Sequence, residues 1–371
     1  MAAHSMVYLK GMINLKKRSE IIKKFKAEGG QIAAIAPYHY PKALFRAFNI
    51  LPVELWGPPK LNTLESKSHI QTYICSVVHS ILTFHLKGNL SVCDYILIPH
   101  TCDSLQGLGS IFLDFIKPEQ KAFTLYIPRG RRQVDIDFLS KEIEKIYNEL
   151  QKATGTTPDK NELNHHIETE EQAVSMVKKL IKNRAYLNTD DYTFYKTIRS
   201  KEYLPAEDFI EIAEEFYKTY KIDTPLNKKP VILSGLLPEP MEILNVINEK
   251  DGLVAGDDFA TTGRRLYPKS EGQNPFVRMA KSIVHSPPDS SRGDSVEARL
   301  NHLIHITEKT GAKGVIFFIV KFCEMEYFYL PHLRKGLSEK GIKSIVIDTD
   351  INDELSQQTI TRIEVFMETL K

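Results

Sequence analysis

The chain has 371 residues, 42% hydrophobic and 26% charged, which are the proportions of a globular protein with two or three domains. A net charge of +2 with the signs interspersed gives no pull toward nucleic acid or an anionic membrane. No apolar run approaches the ~20 residues of a membrane helix, residues 1–15 lack the apolar core of a secretory signal, and four cysteines without CxxC spacing point to a reducing cytoplasm.

In chain order, a basic amphipathic helix is predicted over about 15–28, then a strand at 31–36, a helix at 41–48 and a strand at 51–56. A helix at 74–86, a strand at 94–100, a helix at 105–115 and a strand at 122–127 follow. This alternation predicts βαβ units and a mainly parallel sheet. From Gln133 to about Tyr220 no strand is apparent. Leu139, Ile143, Ile146, Tyr147 and Leu150 recur at helical spacing, as do Phe209, Ile212, Ala213, Phe216, Tyr217 and Tyr220. A second α/β segment is predicted from strands at 230–233, 253–255, 315–320 and 344–347, with a closing helix at 355–370. The expected division is an α/β domain at 1–132, a helical subdomain at 133–225 and a second α/β domain at 226–371, with a cleft between the α/β halves. The stretch 271–294, rich in Gly, Pro, Ser and Asn, reads as containing a surface loop.

Three of the four cysteines fall where such a fold puts its chemistry. Cys102 ends the apolar run that begins at Tyr95, and Cys323 ends the run that begins at Val315. Ligands of open α/β sheets bind outside the carboxyl ends of the strands. Cys75 opens the 74–86 helix, where the N-terminus favours a thiolate. Cys93 precedes its strand, and nine extended residues put it roughly 30 Å from Cys102. Soft thiolates select iron–sulfur clusters, zinc or copper(I). Paired CxxC spacing for a four-ligand structural zinc is absent, and three thiolates suit a cubane cluster with one iron left free. Buried core thiols are the plainer alternative.

Other residues are candidates around that site. His100, two residues before Cys102, is expected on the same side of its strand as a proton donor or hydrogen-bond partner. His302 and His305, a turn apart, form either a chelating pair or a solvated face. Gly107-Leu108-Gly109-Ser110 follows Cys102 and would permit close approach of an anion. Arg129-Gly130-Arg131-Arg132, and Gly256-Asp257-Asp258 followed by Thr261-Thr262-Gly263-Arg264-Arg265, follow strand ends and could hold the phosphates of a carrier such as coenzyme A, with Arg264 and Arg265 preferred. Neither a GxxxxGK[ST] phosphate loop nor a GxGxxG dinucleotide fingerprint occurs.

The stretches Leu51-Pro52-Val53-Glu54-Leu55-Trp56-Gly57, Cys75-Ser76, Pro99-His100-Thr101-Cys102-Asp103-Ser104, Lys321-Phe322-Cys323-Glu324 and Gly256-Asp257-Asp258 with Thr262-Gly263-Arg264-Arg265 resemble segments of the 2-hydroxyacyl-CoA dehydratase and benzoyl-CoA reductase family. The resemblance runs from about Ile35 to the C-terminus. It implies two Rossmann-like domains and a [4Fe–4S] cluster on Cys75, Cys102 and Cys323. It also implies a heterodimer with a paralogous subunit, and an ATP-dependent iron–sulfur activator that docks transiently to deliver an electron. The substrate implied is an acyl-CoA thioester, dehydrated or reduced by one-electron chemistry through a ketyl radical. Many relatives have Cys-Asp-Pro where this chain has Cys323-Glu324, which blurs the substrate but leaves the ligand. The alternative within the resemblance is a cluster-bearing relay subunit that passes charge to its partner and binds no substrate. A metal-free α/β binding protein with buried cysteines is a third reading.

Overall fold

The structure, a computed structural model, describes residues 15–370, so the expectation about a secretory signal in residues 1–15 lies, except for Leu15, outside the described residues. Eight strands are present among them: β1 (Gln31–Ile35), β2 (Ile50–Glu54), β3 (Tyr95–His100), β4 (Lys121–Tyr126), β5 (Lys229–Gly235), β6 (Gly252–Phe259), β7 (Gly314–Val320) and β8 (Lys343–Thr349). They form two four-stranded, all-parallel sheets, ordered β2-β1-β3-β4 and β6-β5-β7-β8. The helices are α1 (Arg18–Ala27), α2 (Lys42–Ala47), α3 (Ser76–Leu86), α4 (Asp103–Ser110), α5 (Gln133–Thr154), α6 (Lys160–Lys182) and α7 (Asp191–Arg199), then α8 (Ala206–Tyr220), α9 (Glu242–Glu249), α10 (Pro275–Val284), α11 (Val296–Thr310), α12 (Glu324–Glu339) and α13 (Gln357–Thr369). The α/β class is as expected, with two Rossmann-like sheets.

The reason is local. All seven residues of β7, Gly-Val-Ile-Phe-Phe-Ile-Val, are buried, as a parallel strand covered on both faces requires. Each such aliphatic or aromatic side chain contributes about 1.5–3 kcal/mol on burial. The middle helices share cores with both sheets. Ile136, Leu139, Ile143 and Ile146 of α5 pack with Leu97 of β3 and Phe123 and Leu125 of β4. Phe194 and Tyr195 of α7 and Phe209 and Phe216 of α8 belong to a cluster that includes Ile243 of α9 and Phe259 of β6. Asp159 caps α6 by accepting from the N–H groups of Asn161 and Glu162, and the Asp159 N–H donates in return to the Glu162 carboxylate.

Two segments differ from expectation. Gly256, Asp257 and Asp258 lie inside β6, which runs four residues farther than apolar character alone implies. The stretch 271–294 has an exposed start at 271–274, then forms α10, and its last part is buried: Ser286, Asp289, Ser290 and Arg292 have at most 1% exposure. Polar composition misled because these side chains satisfy one another inside the protein.

In each sheet the chain reverses direction of growth between the first and third strands. Those switch points are where a crevice opens at the carboxyl ends.

Candidate functional site

Cys75, Cys102 and Cys323 line one cavity, located at both switch points at once. Pro37 and Tyr38 enter from just beyond β1, Leu236 from just beyond β5, Cys102 from beyond β3 and Cys323 from beyond β7. Each cysteine is the N-cap residue of a helix: Cys75 of α3, Cys102 of α4 and Cys323 of α12. Three helix N-termini thus point their free N–H groups at the same space, which favours negative charge there. The two halves touch beside the thiols, where the Ser76 N–H lies 3.4 Å from the Lys321 carbonyl. Phe322 adopts a left-handed φ of 62° immediately before Cys323, a conformation that costs a non-glycine residue about 1–3 kcal/mol and clusters at functional sites.

The thiols are not equivalent. Cys323 donates to Cys75, and this hydrogen bond, assisted by the Val77 and Val78 N–H groups, lowers the Cys75 pKa; the same bond and burial raise that of Cys323. Cys102 is pushed up to about 12 by desolvation, against N–H contacts from Leu105 and Ser104. Cys93 is buried before β3, is likewise pushed to about 12 by burial, and does not line the cavity.

Among the described residues no three His, Cys, Asp or Glu side chains converge tightly enough for a single metal ion. A multi-iron cluster is broader than one ion and takes thiolate donors. Three thiols lining one cavity, each at a helix N-terminus, with Trp56, Val77, Val78, Leu105 and Leu236 also lining it, fit such a group.

His100 does not line that cavity. The Thr101 N–H bonds to the Pro99 carbonyl at 3.0 Å, so the chain turns at the end of β3 and strand alternation does not carry through to Cys102. The imidazole lies edge-on to Tyr126, with neither ring nitrogen hydrogen-bonded. Gly109, inside α4, makes room for it: a Cβ there would lie 2.3 Å from His100 Nε2. The 107–110 glycines therefore accommodate a side chain. His302 approaches Asp258 at 3.9 Å and is no part of a metal set among the described residues.

Arg264 is fully buried and held by carboxylates: Glu326 at 2.6 Å, Asp289 at 3.1 Å and Asp258 at 3.4 Å. Arg299 binds Asp258 at 2.7 Å. His39 Nε2 lies 2.9 Å from Asp289, and burial lowers its pKa to about 4, so the neutral ring donates from Nε2 and accepts from Tyr267 at Nδ1. Arg265 gives both terminal nitrogens to Glu54 at 2.6 and 2.7 Å. Glu54, fully buried in β2, also accepts from Tyr40 at 3.0 Å and Trp56 Nε1 at 3.2 Å. Two of the quoted motifs thus meet: Leu51 to Gly57 supplies the carboxylate and Thr262 to Arg265 the guanidinium, joining the halves. Gly57 is required for the Trp-Gly turn by its φ of 89° and by Ser80, 2.4 Å from any Cβ. Of the other basic cluster, Arg131 binds Asp294 bidentately at 2.7 and 2.8 Å, Arg132 pairs with Asp135, and exposed Arg129 lies 3.4 Å from Asp103.

Sequence reasoning missed Tyr38, Ser291 and Glu326 on the cavity wall. Glu326, three residues after Cys323 in the first turn of α12, was open to inspection; Tyr38 and Ser291, joined by a short hydrogen bond across 253 residues, carried no local signal.

Residues 37–370, spanning both halves of the site, match the family described as 2-hydroxyglutaryl-CoA dehydratase, D-component. The chain belongs to that family. Similar proteins include the (R)-phenyllactyl-CoA dehydratase beta subunit of Clostridium sporogenes, 24% identical over 357 residues and covering 94% of each chain. The lactoyl-CoA dehydratase subunit beta of Anaerotignum propionicum is 25% identical over 354 residues, 93% of this chain and 94% of that one. The (R)-2-hydroxyglutaryl-CoA dehydratase subunit beta of Acidaminococcus fermentans is 22% identical over 375 residues, covering 94% and 95%. Across this D-component chain no described helix is long and apolar enough to cross a membrane.

Proposed function

We propose that this chain is a subunit of a cytoplasmic 2-hydroxyacyl-CoA dehydratase and holds a [4Fe–4S] cluster on Cys75, Cys102 and Cys323. The observation that carries the reading is the meeting of three cysteine-capped helix N-termini on one cavity. Bound there, such a cluster would supply a low-potential electron and, at its one iron without a cysteine, a Lewis-acidic position for chemistry on a CoA thioester. The protein's own part is to fix three sulfurs, to donate N–H groups of α3, α4 and α12 toward them, and to keep water out with Trp56, Val77, Val78 and Leu236. Dehydration is favoured over ring reduction because the relatives named above are dehydratase subunits. Their names as beta subunits support a heterodimer with a paralogous chain. The lack of a GxxxxGK[ST] loop supports a separate ATP-hydrolysing activator that docks transiently. Anaerobic reconstitution of the full chain, with iron and sulfide analysis and EPR of the reduced protein, tests the reading; a colourless, EPR-silent product contradicts it.

One observation favours the relay role for this subunit. Glu54 accepts from Trp56, which lines the thiol cavity, and from Tyr40 and Arg265, which line a second cleft, so a buried ion pair stands between the two. Equilibrium binding of acyl-CoA to the isolated chain and to its complex separates the roles: tight binding that appears only with the partner supports the relay.

A further inference from the structure

A second cavity, about 950 Å³, opens between α2, α6, α10 and the 265–269 segment, and shares no lining residue with the thiol cavity. Six of its lining side chains are cationic and two are carboxylates. Four of the cations have partners. Lys42 and Lys201 share Glu170 at 3.8 and 2.9 Å, Arg278 reaches Glu171 at 3.5 Å, and Arg265 is held by Glu54. Lys178 and Lys269 remain. Among the described residues Lys178 donates to the Tyr267 carbonyl at 2.6 Å, and no ion pair joins either lysine to a carboxylate.

The Lys178 pKa is lowered by burial and next by the charge of Lys269, with Glu171 offsetting this in part. Two like charges only partly offset on a concave surface are relieved by an anion, and lysine is a common point-charge ligand of phosphate. The rest of the wall is of another kind. Ile167, Val174, Met279 and Ile283 line it with the rings of Tyr40 and Tyr267, which gives a flat apolar body a place to lie.

We propose that this cleft binds a phosphorylated nucleotide, with Lys178 and Lys269 on its phosphates and the aliphatic and aromatic wall against its base. Two sources share that chemistry: the nucleotide end of a CoA thioester and a free nucleotide. Glu54 separates the cleft from the thiols, accepting from Trp56 on the cavity side and from Tyr40 and Arg265 on the cleft side. A free nucleotide needs no change in that wall, whereas a thioester anchored here reaches the thiols only when the wall opens. The CoA source rests on the dehydratase reading; the anion site itself does not.

The test is calorimetric titration of the full chain with adenosine 3′,5′-bisphosphate and, separately, with ADP, at two salt concentrations. Saturable binding of at least one probe is expected, weakening with salt. Lys178→Ala and Lys269→Ala should each weaken it about tenfold or more, as loss of a charge-assisted hydrogen bond does. Lys178→Gln with Lys269→Gln, which keeps side-chain bulk, should weaken it equally. Preference for the 3′,5′-bisphosphate assigns the site to the CoA end, and preference for ADP to a free nucleotide. Absence of saturable binding with both probes, or unchanged affinity in the Gln double variant, overturns the proposal. Iron content after anaerobic reconstitution should be the same in all these variants, so failure of the cleft and failure of the cluster reading give different results.

Discussion

The two sheets share one strand order, but their corresponding exits carry different chemistry. Beyond the third strand of each sheet, β3 or β7, stands a cysteine that caps the next helix, Cys102 or Cys323. Beyond the second strands the halves part company. After β2 the chain reaches Cys75 at the cavity wall, while after β6 it reaches Arg264, buried among three carboxylates. The topology fixes which loops converge; the residue placed on a loop decides whether it offers a donor to the cavity or a charge to the scaffold behind it. Glu326 shows how close the two are, since it lines the cavity and also binds Arg264.

Arg264 and Cys75 therefore make the sharpest contrast. Arg264→Ala leaves Asp258, Asp289 and Glu326 short of a buried counter-charge, and should cost about 3–5 kcal/mol. Cys75→Ser, at the matching place in the other half, should cost the cluster-free protein at most ~1–2 kcal/mol. Denaturant unfolding of both under reducing conditions measures the difference, and equal losses would break the comparison.

The same network predicts an acid dependence. His39 has a folded pKa of about 4 against 6.5 in an unfolded chain. As pH falls below 6.5 the unfolded state takes the proton first, so stability is lost between 6.5 and 4 and this contribution is flat below 4. The full effect is about 3 kcal/mol. His39→Asn, which removes the titration, should flatten the stability curve across that window; an unchanged slope contradicts the assignment.

A smaller loss is expected where the halves are joined. Arg265→Ala removes two charged hydrogen bonds from Glu54 but leaves Tyr40 and Trp56 as donors, and should cost about 1.5–3 kcal/mol. Double-mutant cycles with Glu54→Gln should show strong coupling; additive effects would mean that the pair does not tie the two sheets together. As small as the Cys75→Ser loss, Cys93→Ser should cost at most ~1–2 kcal/mol of packing, and it should leave any cluster in place.

The strands were legible because β3 and β7 are continuous β-branched and aromatic runs, and the three cysteines because each stands at such a run's exit or at a helix start. His100 was misplaced because a single turn at 99–101 defeats alternation. From sequence Arg264 reads either as facing a ligand or as paired with nearby Asp258, because its other partners, Asp289 and Glu326, lie 25 and 62 residues away, where nothing local announces an ion pair. The 286–294 segment has the polar composition of a surface loop, yet its Asp and Arg side chains complete the buried network. Polarity marks exposure only when the polar groups lack partners inside.

The central claim is that three cysteines, and not the fourth, make the site. Its most direct test is iron and sulfide content after anaerobic reconstitution of the wild type and of the four single Cys→Ser variants. The account expects the content of a four-iron cluster in the wild type and in Cys93→Ser, with sharp loss in Cys75→Ser, Cys102→Ser and Cys323→Ser. Loss of iron from Cys93→Ser as complete as from Cys102→Ser, or full retention in any of the other three, would contradict it.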